Sequence, residues 1–288
     1  MQALGLNTTG DRNTATGVVT LASNTTGGDN TATGFGALNR NTEGGLNTAS
    51  GVNALGVNTT GSSNTATGMD ALGRNNIGDG NTATGWSSLI RNTQGSENTA
   101  LGNMALVTNT FGSRNTALGA DADVTSSGIF NATAIGFGAR VNNSNKIRLG
   151  NDDVSVIEAP VGLTVVSDKT KKENFQPVDG EEVLRKLRSL EVPSWNFIGQ
   201  NPEKFRHYGP MAQDFFAAFG HDGVGTIATP TTINTSDLAG ILMVAVQTLE
   251  RRTNENAELK ARIERLERAV GNMPTQSVST ETDEKAPR

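Results

Sequence analysis

The stretch NTATGFGALNRNTEGGL, residues 30–46, is one unit of a repeat that fills the first half of the chain. The motif NTATG, or a close variant of it, begins at Asn13 and recurs every 17 residues until Asn115. One leucine and a second glycine recur on the same step, so apolar and turn-forming positions stay in register. A fixed short period of this kind is typical of a β-solenoid, in which each unit forms one coil. Gly, Thr and Asn disfavour a helix over the whole window.

Each unit is expected to hold two short extended segments, each ending at a glycine with positive φ. The alternation in NTATG places the two threonines on one face of a strand and the alanine on the other. The second threonine becomes Leu101, Leu118 and Ile135 in late units, so we expect this column to face inward. That expectation argues against an ice-binding ladder of outward threonines, and the constant leucine column argues against a disordered segment.

The composition divides the chain near Pro160–Ser167, because 26 of the 34 glycines lie in residues 1–166 and all 8 prolines lie at or after Pro160. The absence of cysteine excludes disulfides and thiolate zinc sites. The net charge of −5 argues against a nucleic-acid partner. No apolar run is long enough to span a bilayer, and the first residues lack the pattern of a signal peptide. We expect neither a metal nor a cofactor.

Residues 131–157 leave the 17-residue period and are richer in β-branched residues. We therefore predict a solenoid over residues 1–130 and a β-rich neck over residues 131–166. Together these segments resemble the head and neck of trimeric bacterial adhesins and phage tail fibres. The resemblance implies that coils from three chains pack side by side and exchange strands at the neck. Because the chain begins inside a repeat, we expect it to be a piece of a longer fibre with an attachment region before it.

The last part of the chain has the alternating three- and four-residue spacing of a coiled coil. We predict a trimeric coiled-coil helix over residues 236–271, with Ser236 as its N-cap, followed by a disordered tail over residues 272–288. An amphipathic helix packed on its own domain is the alternative. The predicted seam consists of Leu238, Leu242, Ala245, Leu249, Arg252, Asn256, Leu259, Ile263, Leu266 and Val270.

Two motifs precede this helix, SDKTKK at residues 167–172 and RHYGPMAQD at residues 206–214. Between them stand a helix-like GEEVLRKLRSL and the tripeptide Pro-Ser-Trp. In this order the motifs are similar to the peptidase S74 family, an intramolecular chaperone at the C-termini of phage tailspikes and fibres, including endosialidases. The resemblance implies an α+β chaperone domain over residues 167–240.

The resemblance also implies one self-cleavage event, between Val166 and Ser167, with Ser167 as nucleophile and Lys172 as base. A serine needs a neighbouring base to accept its proton, and a lysine serves as that base only after desolvation. Asp168 is expected to orient the turn. His207 and Gln213 match further family positions and are expected to play supporting parts.

These features predict a homotrimeric phage tail fibre or spike whose C-terminal domain drives trimerisation and folding and then releases itself. A bacterial surface adhesin with the same releasing domain is the alternative. A glycan-cleaving spike is less favoured, because the paired carboxylates that such an enzyme needs are absent from the repeat. The expected partners are two further copies of the chain, virion tail components and a host cell-surface receptor or glycan. The fibre is expected to fold in the host cytoplasm and to act on the virion tail or at a cell surface.

Overall fold

The computed structural model describes residues 2–154, 156–158 and 166–272. The chain forms two compact units, Met1–Glu158 and Ala159–Arg288. The first is the parallel β-solenoid that the repeat predicts, and the second contains α-helices and short strands.

The solenoid contributes one short strand per coil to a nine-stranded parallel sheet. Thr31 pairs with Thr48 and Ala32 with Ala49, so each coil lies over the next with a shift of one repeat. The strands of this sheet are β1 (Thr14–Thr16), β2 (Thr31–Thr33), β3 (Thr48–Ser50), β4 (Thr65–Thr67), β5 (Thr82–Thr84), β6 (Thr99–Leu101), β7 (Thr116–Leu118), β9 (Thr133–Ile135) and β11 (Ile147–Leu149). A separate parallel pair is formed by β8 (Asp123–Val124) and β10 (Arg140–Val141).

The solenoid sheet runs beyond the predicted end of the shaft at residue 130. β9 pairs with β7 on the 17-residue step, and β11 pairs with β9 on a step of 14 residues. Residues 131–149 of the predicted neck are rich in strands and continue the sheet of the solenoid, and the boundary between shaft and neck stays a prediction. The coil shortens, but its strand keeps the same parallel ladder because the backbone hydrogen bonds do not depend on loop length. Residues 155 and 159–165 of the predicted neck lie outside the described part of the chain.

The strands bury their alanines and expose both columns of their threonines. The prediction that the second threonine column faces inward is wrong, because Leu101, Leu118 and Ile135 are 44%, 44% and 37% exposed. The interior is narrow and accepts only alanine from the strand. The leucine column from Leu21 to Leu106 fills the remaining space. The outward face therefore carries two hydroxyl-bearing columns in early coils, and its second column becomes apolar in late ones.

Two ladders of buried asparagine side chains hold the coils together. Asn58 Nδ2 donates to Asn41 Oδ1 at 2.7 Å and to the Gly61 carbonyl at 2.8 Å, and Asn75 Nδ2 donates to Asn58 Oδ1 at 2.9 Å. In the second ladder the backbone N–H of Asn64 donates to Asn47 Oδ1 at 3.0 Å. Each unit needs these asparagines because their side chains form hydrogen bonds with buried backbone and side-chain groups that water does not reach.

The two glycine columns are required for different structural reasons. The glycine that ends NTATG has a φ between 126° and 140° from Gly34 to Gly102, a region that favours glycine. The second column, which includes Gly61, was expected to have positive φ as well and does not. Gly61 is needed because a Cβ there would lie 2.5 Å from the carbonyl oxygen of Gly78 on the next coil. Positive φ occurs instead at the buried leucines, such as Leu55 at 51°.

The second unit packs three helices around a small apolar core. The helices are α1 (Gly180–Ser189), α2 (Ala212–Phe219) and α3 (Thr235–Gly271), and an antiparallel pair is formed by β12 (Ser194–Trp195) and β13 (His207–Tyr208). The buried core consists of Val183 from α1, Phe215 and Phe219 from α2, and Ala245 from α3. This unit is α+β, as the sequence predicts.

Three features of the long helix α3 bear on its predicted start and its predicted seam. Its N-cap is Asn234, whose side chain accepts the backbone N–H of Ser236, so Ser236 is not the cap. Ala245 is buried in the domain's own core, and Arg252 forms an ion pair with Glu181 of α1. In the single chain α1 therefore packs against the side of the helix that carries Ala245 and Arg252, and the seam stays a prediction.

Leu238 is half-buried against the domain's own core, whereas the remaining apolar seam positions along α3 stay open. Leu242 and Leu249 are exposed, as are Leu259, Ile263, Leu266 and Val270 in the second half of the helix. Of the predicted tail, only Asn272 lies within the described residues. Among the described helices, none has a stretch long and apolar enough to cross a lipid bilayer.

Candidate self-cleavage site

A short 3-10 turn at the start of the second unit brings Ser167 and Lys172 together. The turn covers Lys169–Lys171, and the backbone N–H of Lys172 donates to the carbonyl of Lys169. Lys172 Nζ donates to Ser167 Oγ at 2.6 Å. The five-residue spacing of the two side chains is therefore closed by one turn of backbone, without any contribution from a distant element.

Asp168 is the N-cap of this turn. Its Oδ1 accepts the backbone N–H of Thr170 at 2.9 Å, which fixes the direction in which the chain leaves Ser167. The same hydrogen bond holds the pKa of Asp168 below its usual range, because it stabilises the charged carboxylate. Asp168 therefore lies where the sequence places it, in the turn that presents the pair.

The pair is open to solvent in the single chain. Ser167 and Lys172 are exposed, and so is Val166 on the other side of the expected cleavage point. Three lysines, Lys169, Lys171 and Lys172, lie within this short segment, and Lys169 Nζ lies 5.9 Å from the centre of the Phe175 ring. The backbone next to Ser167 is accessible for a reaction, and the side chains are not yet enclosed.

His207 belongs to an aromatic cluster on the antiparallel strand pair. Its ring stacks on Trp195 with centroids 4.7 Å apart and meets Phe197 edge-on at 5.4 Å. His207 Nε2 lies 3.3 Å from Gln200 Oε1. The described residues show no hydrogen bond from His207 to Ser167 or Lys172, so its contacts are with the strand pair.

Gln213 lies in the first turn of α2 and is exposed. It too forms no hydrogen bond with Ser167 or Lys172 within the described chain. The structure thus brings together Ser167, Asp168 and Lys172, and it places His207 and Gln213 on separate elements.

The aromatic cluster joins Trp195, the tryptophan of the Pro-Ser-Trp tripeptide, to Phe197 and Gln200, which the sequence analysis did not single out. Trp195 Nε1 and Gln200 Nε2 are buried donors for which the described residues offer no acceptor. The spacing of Trp195 and Phe197 gave a signal, because residues two apart lie on the same face of a strand. Gln200 gave none, since it is a single amide in a turn.

The serine, the lysine and the capping aspartate lie at the beginning of a segment that matches a known protein family. Residues 167–223 match the peptidase S74 family, the chaperone of endosialidase. The match begins at Ser167 and includes α1, the strand pair and α2. With the solenoid before it, the S74 segment fits a tail fibre with a C-terminal chaperone domain. The family implies self-cleaving serine peptidase activity.

No curated protein matches the chain. Among the described residues there is no group of three or more His, Cys, Asp or Glu side chains arranged to hold a metal ion.

Proposed function

We propose that this chain is one subunit of a homotrimeric fibre of the phage tail-fibre or spike type. Its S74 domain gathers three chains, supports the folding of the solenoid, and then releases itself by a single cut between Val166 and Ser167. The observation that carries this proposal is the 2.6 Å approach of Lys172 Nζ to Ser167 Oγ at the first residue of the S74 match. A bacterial surface adhesin would use the same chemistry.

The cleavage follows from the position of the serine directly after the bond that breaks. Neutral Lys172 accepts the proton of Ser167 Oγ, and the oxygen attacks the carbonyl carbon of Val166. The bond between that carbon and the Ser167 nitrogen breaks, and the nitrogen takes up a proton to become a free amine. Water then hydrolyses the resulting ester, which restores the Ser167 hydroxyl and leaves Val166 with a carboxylate. The lysine acts as general base in the first step.

Enclosure of the pair links the cut to assembly. A lysine in water is protonated at neutral pH and has no lone pair with which to accept a proton. Lys172 is exposed in the single chain, so a base role requires that neighbouring surfaces exclude water from it. We infer that association of three chains supplies this enclosure, which delays cleavage until the trimer exists.

Both units carry exposed apolar surfaces suited to self-association. Leu259, Ile263 and Leu266 are more than half exposed on α3 and recur at the four- and three-residue steps of a coiled coil. On the solenoid, Leu101 and Leu118 are adjacent in register on the outward face of the sheet. Apolar residues in line on a surface mark contact sites more often than isolated ones do.

A helper domain suits a solenoid of this kind. Nearly all strand pairings of the solenoid join residues 17 apart, and each coil packs on the next. In the proposed trimer the three chains must also align in one register before the solenoid is stable. Topologies dominated by non-local contacts fold slowly and expose strand edges meanwhile. Chains tethered at one end meet at a high effective concentration, which favours the correct register.

The first test is mass spectrometry of the freshly expressed 288-residue chain under denaturing conditions. The wild type is expected to give two pieces that divide between Val166 and Ser167, and Ser167→Ala is expected to give one uncut chain. Lys172→Ala should slow the cut by about 10²- to 10⁴-fold, the usual contribution of a general base. Lys171→Ala is the matched control and should cut at the wild-type rate. Cleavage of the Ser167→Ala chain at this bond would disprove the assignment of the nucleophile.

The second test separates assembly from chemistry. In the Ser167→Ala chain, light scattering is expected to report a trimer, and an added Ile263→Asp substitution should give monomers because it places a charge in the open seam. Ala261→Asp introduces the same charge on another side of α3 and should leave the trimer intact. With Ser167 restored, Ile263→Asp should also suppress the cut. Monomers in the Ser167→Ala chain itself, or full-rate cleavage by the Ile263→Asp chain, would contradict the link between assembly and cleavage.

A further inference from the structure

Exposed apolar side chains form two columns on the solenoid, one on each side of the glycine that ends each strand. The first column lies directly after that glycine on five consecutive coils and consists of Val18, Phe35, Val52, Met69 and Trp86. The exposed fractions of these residues lie between 42% and 58%. The column is continuous, because backbone hydrogen bonds join each coil to the next here, as from the N–H of Asp70 to the carbonyl of Val52 at 2.9 Å.

The second column begins where the first one ends. It lies directly before the glycine, is 37% to 50% exposed, and consists of Leu101, Leu118, Ile135 and Leu149, which pair in register. In the first five coils this position holds threonine or serine. In the coils of Leu101 and Leu118 the position after the glycine holds Asn103 and Ala120 instead, whereas the coil of Ile135 also carries Phe137. The apolar residue thus changes column once, and each of the nine coils in the sheet has one.

These nine residues form an apolar stripe that is large enough for a protein interface. With about 4.8 Å between coils, the stripe runs for about 38 Å. Its half-exposed side chains present on the order of 800 Å² of surface, since one aromatic side chain alone offers about 150–250 Å². The largest apolar patch of a typical monomer is about 300–600 Å², and a stable interface buries about 800 Å² on each partner.

The change of column identifies the shape of the partner. Neighbouring strands of a sheet are rotated relative to one another, so a column of equivalent residues winds around the solenoid. A partner that packs along a straight line therefore meets one column on the first coils and the adjacent column, about 6.6 Å away, on the later ones. The partner must also present an apolar group at every step of about 4.8 Å. A parallel copy of this chain does so, because it has the same repeat and the same change of column.

We propose that the apolar stripe lies along the threefold axis of the homotrimer, where each residue packs against its counterparts in two further copies of the chain. The axis passes the column of Val52 on the first five coils and the column of Leu118 on the later ones. The solenoids are then joined along their length as well as through α3, and this contact holds them together after the chaperone domain leaves. The inference rests on the proposed homotrimer and adds where its solenoids meet.

Disulfide trapping in the full Ser167→Ala chain tests the proposal, because the chain has no cysteine of its own. Val52→Cys and Leu118→Cys are each expected to link two chains under mild oxidation. Counterparts on the axis come within the Cα separation of roughly 7 Å that a disulfide can span. Ser50→Cys and Ala120→Cys are the matched controls, since they lie on the same coils on the other side of the glycine. They should link severalfold more slowly.

Thr60→Cys is a further control that should not link, because Thr60 is exposed elsewhere on the coil of Val52. Light scattering of the reduced samples separates this proposal from the trimer itself. A trimer in which the two stripe variants link no faster than their matched controls would overturn the position of the axis and leave the homotrimer intact. Monomers would overturn both. Faster linking of Ala120→Cys than of Leu118→Cys would overturn the change of column.

Discussion

Replacing Asn58 by alanine removes one rung from the buried asparagine ladder and leaves the coil otherwise intact. Asn58 is fully buried and takes part in three hydrogen bonds, two as donor and one as acceptor. The Gly61 carbonyl loses one of its two hydrogen bonds and keeps the other, which Asn47 Nδ2 donates at 2.8 Å. Asn41 Oδ1 and one N–H of Asn75 lose the partners that they have in the described structure.

The cost follows from these two abandoned groups. A buried polar group left without a partner costs about 1–3 kcal/mol, so Asn58→Ala should destabilise its coil by about 2–6 kcal/mol. The effect should be local, because each coil of a solenoid contacts only its neighbours. Asn103→Ala makes the same chemical deletion at an exposed side chain and should cost less than about 0.5 kcal/mol.

Hydrogen exchange read by mass spectrometry measures the local opening of each coil. Amides between residues 41 and 75 should exchange at least about 30-fold faster in Asn58→Ala, which corresponds to 2 kcal/mol. Amides of the first and last coils should change little. If Asn58→Ala and Asn103→Ala gave equal exchange over these coils, the ladder would not stabilise the solenoid and the reasoning would be refuted.

Two further substitutions test the glycine column and the buried carboxylate. Gly61→Ala should unfold at a clearly lower denaturant concentration than Gly128→Ala. A Cβ at Gly61 meets backbone of the next coil, whereas one at Gly128 meets nothing within 4 Å. Equal midpoints would show that the coils can move apart. Burial raises the pKa of Asp123 above 3.8, so the folded chain binds the carboxyl proton more tightly than the unfolded chain does. The stability that the protonated carboxyl contributes is therefore complete at low pH and is lost as the pH rises. Asp123→Asn should therefore gain stability relative to the wild type between about pH 3.5 and pH 7, measured by denaturant midpoints. A relative loss over that range would mean that the contacts with Thr108 and Arg140 outweigh burial.

The solenoid could be predicted from the sequence because its contacts repeat with the sequence. A residue such as Leu55 contacts its own counterparts 17 residues away, so one column of identical residues reports one layer of the core. The helix α3 could be predicted for a similar reason, since an apolar stripe has a period that the sequence shows directly.

The direction of the threonines could not be read from the sequence, because the replacements at Leu101 and Leu118 suggested a core position. An apolar side chain in a strand can lie on a buried or on an exposed face, and the structure places Leu101 and Leu118 on the exposed one. The alanine column did not decide which face of the strand is buried, because alanine is common on both buried and exposed faces. The positive φ of Leu55 was also hidden, since burial of the side chain outweighs an unfavourable backbone conformation that no propensity scale would assign to leucine.

The candidate site divides in the same way. Ser167 and Lys172 are close because a single local turn joins them, and local spacing is visible in a sequence. Ala245 and Arg252 face α1 because of tertiary packing between segments far apart in the chain, and the heptad spacing carries no record of that contact. The surroundings of His207 depend likewise on the pairing of two strands.

The stacking of identical coils also bears on how the gene can change. Since one coil contacts only the coils on either side, removal or duplication of 17 codons deletes or adds a complete layer and recreates the same junction. Each event would alter the reach of the solenoid by about 4.8 Å, in whole steps, and would keep the parallel backbone ladder and the alanine, leucine and asparagine columns in register.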